Sequence, residues 1–330
     1  MEYRFLGQTG IKVSGLCFGT MSFGGDADEE TSEAMFRRCR EAGINFFDCA
    51  NTYAGGRSEE ILGRLIADCR EEVVVTSKVY FPSGQGQNCS GASRRNILLA
   101  AEASLKRLNT PFIDVYFIHH FDQSTPLEES LRALDDLVHQ GKVMYLGASN
   151  FAAWQIVKAL GISEREGLSP FACIQPMYNL VKRQAEVEIL PMAAEEKLGV
   201  ISYSPLGGGL LSGKYGRERR PEQGRLTSNR MYQARYADGW MMEAAEAFTQ
   251  FALERGYEPA GLAVAWAAAH PAVTAPILGA RSVAQLEGSL KALDIEMTPA
   301  LRAEISQLSP EPPPATDRND ERTPAAFGVR

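Results

Sequence analysis

The chain has 330 residues, with 34 Lys and Arg against 41 Asp and Glu and 45% apolar residues. This is ordinary globular arithmetic, which excludes collagen, coiled coil and wholesale disorder. A net charge of −7 supplies no overall basic field for a phosphate backbone, so nucleic acid is not an expected partner. The N-terminal residues Met1 to Gly7 lack the basic region and the apolar run of about 7–15 residues of a secretory signal. No stretch reaches the roughly 18 continuous apolar residues of a membrane span; the richest, Ala260 to Ala269, stops at His270-Pro271. The expectation is a cytoplasmic chain with no membrane partner. Six scattered cysteines (Cys17, Cys39, Cys49, Cys69, Cys89, Cys173) form no C-x-x-C pair and read as reduced thiols, mostly packing.

Short β-rich runs alternate with helical patterns almost from end to end, which argues for βα units around a parallel sheet. Tyr3–Leu6 and Ile11–Ser14 predict a small hairpin placed to plug one end of a barrel. Gly15–Gly19 and Glu29–Ala42 predict the first strand and helix; Asn45–Asp48 and Ser58–Cys69 the second, with Ser58 as N-cap. Val73–Ser77 precedes a helix over Ser93–Leu108. Val115–His119 precedes one over Leu127–Gln140, entered at Pro126 and ended by Gly141. Tyr145–Ala148, Ile174–Gln175 and Val200–Tyr203 predict strands five to seven, with helices over Ala153–Leu160 and Ala185–Lys197. From Gly207 to Asp238 a Gly-rich, charged and aromatic stretch breaks the rhythm and predicts a functional loop. Helices over Met241–Arg255 and Pro259–Ala269, an eighth strand over Val273–Leu278, its helix over Val283–Leu293 and a last helix over Leu301–Leu308 complete the pattern. The fold class is therefore α/β, a (β/α)8 TIM barrel with an N-terminal hairpin plug and a C-terminal extra helix. Residues 1–309 are expected to form one domain, followed by a Pro-rich tail over 310–330. No G-x-G-x-x-G opens a first strand-turn-helix, so a Rossmann site is not supported.

A barrel gathers its chemistry where strands end. The second strand ends in Asp48 with Tyr53 five residues on, the third ends in Lys78 and the fourth in His119. Each alone reads as a cap, a surface aromatic, a solvated amine or a core histidine. Together at consecutive strand ends, four unlike ionisable groups are expensive unless paired, which points to function. Such a set suits proton transfer to a carbonyl oxygen. An ammonium beside a phenol favours the phenolate and lowers its pKa, so Lys78 is expected to tune Tyr53, Asp48 to hold the lysine, and His119 to orient the substrate oxygen. No protein side chain donates hydride, so a reductase built this way needs a nicotinamide cofactor. His119 and His120, consecutive on a strand, are expected to point oppositely, and no metal site is predicted.

The segments Asp48-Cys49-Ala50-Asn51-Thr52-Tyr53, Thr76-Ser77-Lys78, Asp114 to His119, Gly147-Ala148-Ser149-Asn150-Phe151 and Ile201 to Leu206 resemble, in order and spacing, the aldo-keto reductase superfamily, its bacterial enzymes and its potassium-channel beta-subunit branch. The resemblance covers roughly Tyr3 to Leu293. It implies that Asp48, Tyr53, Lys78 and His119 are the catalytic tetrad, with Tyr53 the general acid of a carbonyl reduction on CH–OH/carbonyl groups (EC 1.1.1.-). It also implies NADPH/NADP+ as cofactor. Ser149, Asn150 and Gln175 match residues that bond the nicotinamide carboxamide, and Tyr203 the aromatic stacked under that ring. Ser204, Pro205, Leu206 and Gly208 match the pyrophosphate segment, with the 207–238 loop as a cofactor belt. Gly279, Arg281 and Gln285 match the adenosine 2′-phosphate site. One departure stands out. Such relatives read Gln-x-x-Glu-Asn where this chain has Gln285-Leu286-Glu287-Gly288-Ser289, which predicts weakened contacts to adenine and ribose and a looser preference over NADH.

Met21, Phe23, Tyr80, Phe81 and His120, just beyond strand ends, are expected to line the substrate pocket. The expected substrate is a carbonyl compound, with small aldehydes, ketones and a sugar carbonyl all left open. The sequence leaves the physiological substrate, the direction of reaction, the oligomeric state and the role of the tail open. The alternative is a nucleotide-sensing regulatory subunit with little turnover, against which stand the intact tetrad and the lack of an N-terminal inactivating extension. A Schiff-base aldolase or isomerase using Lys78 would need no Tyr53 beside it.

Overall fold

In the computed structural model, which describes residues 1–216 and 224–318, eight parallel strands close into a barrel. An antiparallel hairpin, β1 (Tyr3–Phe5) and β2 (Lys12–Ser14), precedes it. The barrel strands are β3 (Cys17–Gly19), β4 (Phe46–Asp48), β5 (Val74–Val79), β6 (Ile113–Ile118), β7 (Val143–Ser149), β8 (Phe171–Gln175), β9 (Gly199–Ser202) and β10 (Ala275–Leu278). Ile277 of β10 lies opposite Cys17 of β3, and Ala275 opposite Ile201 of β9, which closes the ring. Helices α1 (Glu29–Glu41), α2 (Arg57–Leu65), α3 (Arg94–Leu108), α4 (Leu127–His139), α5 (Ala153–Glu166) and α6 (Ile189–Glu195) follow β3 to β8 in turn. After β9 come two short helices, α7 (Arg225–Ser228) and α8 (Arg230–Arg235), then α9 (Gly239–Glu254) and α10 (Pro259–Ala268); α11 (Val283–Leu290) follows β10, and α12 (Pro299–Ser306) is the extra C-terminal helix. This is the (β/α)8 TIM barrel the alternation predicts.

Side chains alternate between the faces of a strand, so each barrel strand feeds two cores. Phe46, Val74, Val115, Phe117, Cys173, Ile201 and Ile277 pack together inside the barrel with Leu6 and Val13 of the hairpin segment. Their neighbours Phe47, Val75, Tyr116 and Ile118 join the larger core beneath the helices. The hairpin is thus a plug, and its fit is close: a Cβ on Gly7, at φ +58°, would stand 2.5 Å from the Gly199 amide nitrogen.

Several boundaries differ from the sequence pattern for local reasons. Ser58 is not the N-cap of α2: Gly56 takes that position at φ 96°, while the buried Ser58 hydroxyl donates to the Thr20 carbonyl over 2.8 Å. The helix predicted over Ala185–Lys197 separates into a 3-10 turn (Gln184–Glu186) and α6, which begins so that Pro191 falls in its first turn, where a missing N–H costs least. The predicted loop from Gly207 carries α7 and α8, the latter started by Asn229, whose side chain accepts from the Met231 and Tyr232 amides. Its middle, residues 217–223, and the tail beyond Arg318 lie outside the described residues, whereas Pro310 to Arg318 holds neither helix nor strand. Among the described residues no helix is long and apolar enough to cross a membrane.

Candidate active site

The inward parity of the strands builds the site. Counting in twos from Phe46, Val74, Cys173 and Ile201 brings Asp48, Thr76 and Lys78, Gln175 and Tyr203 to the barrel's interior side at its C-terminal mouth. Asp48 closes β4, Lys78 is the penultimate residue of β5, and His119 follows the last residue of β6. Tyr53 reaches the same point by another route. Ala54, Gly55 and Gly56 all take positive φ (48°, 66° and 96°), a kink that swings the chain between the strand end and α2.

The buried Lys78 ammonium is the centre of the constellation. It donates to Asp48 Oδ2 (2.6 Å), to the Cys49 carbonyl (2.7 Å) and to the Tyr53 hydroxyl (3.4 Å). Asp48 Oδ1 accepts from the Thr76 hydroxyl (2.7 Å) and from Gln175 Nε2 (2.8 Å). Burial alone would discharge the lysine, but Asp48 and Tyr53 outweigh it and raise its pKa. The tyrosine differs from expectation. Burial pushes its phenol up to about 12, against the downward pull of Lys78 and with a further upward push from Asp48. The ammonium therefore acts in the expected direction without prevailing, and the phenol is a firm proton holder. The His119 ring lies edge-on to Tyr53 at 6.0 Å; burial, then Lys78 and His120, push its pKa down to about 2, so it is a neutral imidazole. Cys49 is buried, and desolvation raises its thiol to about 12, which fits packing and not nucleophilic chemistry.

Of these groups Asp48, Tyr53, His119 and Gln175 line a cavity of about 790 Å3, and Lys78 lies buried behind them. Every proposed cofactor position lines it: Ser149, Asn150, Gln175, Tyr203, Ser204, Pro205, Leu206, Gly208, Gly279, Arg281 and Gln285. Asn150 and Ser204 hold positive φ (57° and 59°), a strained conformation for residues with side chains. The Asn179 side chain supports it by donating to the Ser204 carbonyl (2.9 Å), and the Tyr203 hydroxyl donates to Asn150 Oδ1 (2.7 Å). Gly208, at φ 68°, lies so close to the Tyr232 ring that a Cβ would stand 2.7 Å from it, locking α8 onto the cavity wall. The sequence reading missed Thr76, Lys214, Arg235 and Glu258. Thr76 was legible, two residues before Lys78 on one strand face; the other three come from the long loop and the start of α10, whose path no local pattern fixes.

Of the substrate-pocket candidates, Met21, Phe81 and His120 line the cavity. Phe23 does not: it is fully buried against Phe18, ring centroids 5.8 Å apart, because the chain turns back at Thr20 and carries it under the barrel rim. Tyr80 is also outside the lining and stands behind it, packed on Phe81 and His120 at 5.3 and 5.2 Å. His119 and His120 do not point oppositely. Strand β6 ends at Ile118, so the alternation lapses and both imidazoles face the cavity; among the described residues no cluster of three metal-ligating side chains forms.

A (β/α)8 barrel with a buried Lys–Asp pair beside a phenol at its C-terminal mouth carries its ionisable groups where such barrels keep their active sites. The model of the Aldo/keto reductase family matches residues 15–310, and the chain belongs to that family. It is 39% identical over 323 residues to the Uncharacterized oxidoreductase YrpG of Bacillus subtilis, covering 94% of this chain and 97% of that protein. It is 36% identical over 317 residues to a Probable voltage-gated potassium channel subunit beta of Arabidopsis thaliana (93% and 96% covered), and 36% identical over 326 residues to one of Oryza sativa (96% and 99%). The chain is an oxidoreductase of a family that uses nicotinamide cofactors and acts on small carbonyl compounds.

Proposed function

We propose that the chain is an NADPH-dependent carbonyl reductase in which Tyr53 is the general acid. The observation that carries the reading is the buried Lys78 ammonium, set between Asp48 Oδ2 at 2.6 Å and the Tyr53 hydroxyl at 3.4 Å. The donor set of the cavity fits the cofactor. Amides and hydroxyls (Asn150, Gln175, Ser149) surround its catalytic end with the Tyr203 ring, and Lys214, Arg235 and Arg281 add three cations. Among the described residues the Arg281 guanidinium has no carboxylate partner, which leaves its planar fork available to a phosphate.

When bound, the reduced nicotinamide supplies the electron pair that no side chain offers. The chain supplies the rest. Tyr53, protonated at neutral pH, hands its proton to the carbonyl oxygen as negative charge grows there. Lys78 favours the phenolate left behind, and Asp48 keeps the ammonium in place. The neutral His119 donates a hydrogen bond that orients the oxygen without protonating it. Phe81, Met21 and His120 exclude water over Tyr53 and leave room for an aldehyde, ketone or sugar carbonyl.

The test is NADPH oxidation with a panel of carbonyls. Turnover that Tyr53→Phe abolishes supports the reading. The two plant relatives are named as potassium channel subunits beta, which favours one second reading, a regulatory subunit that on the nucleotide reading would sense its cofactor with little turnover. Tight NADPH binding with no turnover on any carbonyl would select it.

A further inference from the structure

We propose that His120 accepts a hydrogen bond from a hydroxyl group of the substrate, which narrows the substrate class to carbonyl compounds that carry a neighbouring hydroxyl. This rests on the carbonyl-reductase reading above and deepens it.

The two consecutive imidazoles offer opposite hydrogen-bonding faces to one cavity. His119 is neutral, and its Nδ1 is buried without a partner. An orphaned N–H is the rarer state in a protein interior, so the ring proton belongs on Nε2, the nitrogen that the cavity reaches. His119 therefore donates. His120 is the reverse. Its Nδ1 lies 2.9 Å from the Phe121 carbonyl oxygen, and a carbonyl only accepts, so Nδ1 carries the proton. In the neutral ring that leaves Nε2 with a bare lone pair. Among the described residues this nitrogen has no hydrogen-bond partner, and His120 is exposed on the cavity wall.

Packing holds the pair in place. The Tyr80 ring lies against His120 at 5.2 Å, and Phe81 stands edge-on to His119 at 4.8 Å and to His120 at 6.5 Å. One phenyl ring thus touches both imidazoles, which puts the donor and the acceptor within the span of a small molecule. Tyr80 and Phe81 follow β5, whereas the residues proposed for the nicotinamide carboxamide, Ser149, Asn150 and Gln175, stand at the ends of β7 and β8. The His120 lone pair is therefore left to the substrate.

A donor beside an acceptor reads a carbonyl oxygen beside a hydroxyl. A methylene in the same place leaves the His120 lone pair unpaired once water is excluded, and a carboxylate or phosphate brings it only further lone pairs. A primary amine also donates, but it condenses with aldehydes, so a hydroxyl is the donor that persists beside the reacting group.

Glyceraldehyde and 2-methylbutanal share one heavy-atom skeleton and differ in carrying hydroxyls or methyls. With NADPH at pH 8, wild-type kcat/KM is expected to favour glyceraldehyde. His120→Phe, which keeps a ring and removes the lone pair, should cut that preference about tenfold, and His120→Ala should do the same. Comparing the ratio between variants cancels the unequal intrinsic reactivity of the two aldehydes. His120→Gln, whose amide oxygen accepts, should keep most of the preference. An undiminished preference in both His120→Phe and His120→Ala, or a wild type that favours 2-methylbutanal, would overturn the hydroxyl assignment and leave the reductase reading intact. So would reduction of other carbonyls but of neither aldehyde. Reduction of no carbonyl at all would overturn both.

Discussion

The side-chain amide of Gln175 donates to Asp48 Oδ1 over 2.8 Å, joining the residue expected to face the nicotinamide carboxamide to the carboxylate that holds Lys78. The two carboxylate oxygens divide their work, Oδ2 to the ammonium and Oδ1 to Thr76 and Gln175. Strand β8 therefore braces the proposed proton-transfer group from across the barrel. A change at Gln175 is a change to the tetrad, even though its residue lies far from Asp48 in sequence.

Tyr53→Phe removes the proposed proton donor and little else, since among the described residues the hydroxyl's one hydrogen bond is the 3.4 Å contact with Lys78. Reduction should slow by about 10²–10⁴-fold while NADPH affinity is kept. Lys78→Met should also lose the rate, and should lower the melting temperature as well. It leaves Asp48 buried without its cation, at a cost of about 3–5 kcal/mol. Paired kinetics and thermal melts separate the two effects.

The pH profile follows from the proton holders. With the Tyr53 phenol near 12 and His119 near 2, neither changes state between pH 6 and 9. Carbonyl reduction should stay level across that range, and oxidation of the corresponding alcohol should rise with pH, because it needs the phenol deprotonated. A basic limb near pH 7 in kcat for reduction would assign the acid to another group.

Arg281→Ala should weaken NADPH by about tenfold or more and leave NADH nearly unchanged, as expected for one charge-assisted fork on a phosphate. Titration with both cofactors reads it. Equal losses would move the 2′-phosphate away from Arg281.

Acid should destabilise the fold. Burial, then Lys78 and His120, hold His119 near 2, and burial, then Arg302, holds His270 near 4, both below the ordinary histidine value of 6.5. Between about pH 4 and 6.5 the unfolded chain binds more protons than the folded one, so stability falls as pH drops through that window. The melting temperature should be lower at pH 5 than at pH 7.5, and His270→Asn should narrow the gap.

Gly63→Ala should cost about 1–3 kcal/mol although alanine favours a helix. A Cβ there would stand 2.5 Å from the Leu108 carbonyl oxygen, backbone that closes α3 and cannot rotate away. Denaturant unfolding measures it; a neutral result would mean that α2 and α3 can separate.

What the sequence showed and what it hid have physical reasons. Asp48, Lys78 and Gln175 were legible because two-residue alternation carries a buried strand's face to its end. Tyr53 was legible only through its motif, since three consecutive positive φ values place it. Phe23 and Tyr80 were misplaced because beyond a strand end the alternation no longer governs direction, and hydrophobicity alone does not tell a pocket wall from a core. Arg235 and Glu258 come from segments joined to the cavity by tertiary packing alone.

The plug formed by Leu6 and Val13 leaves the cylinder with a single doorway. Under the proposed function, a nucleotide and a carbonyl compound that both reach Tyr53 would come and go through that one entrance, so a large ligand resting in it should slow the exchange of the other.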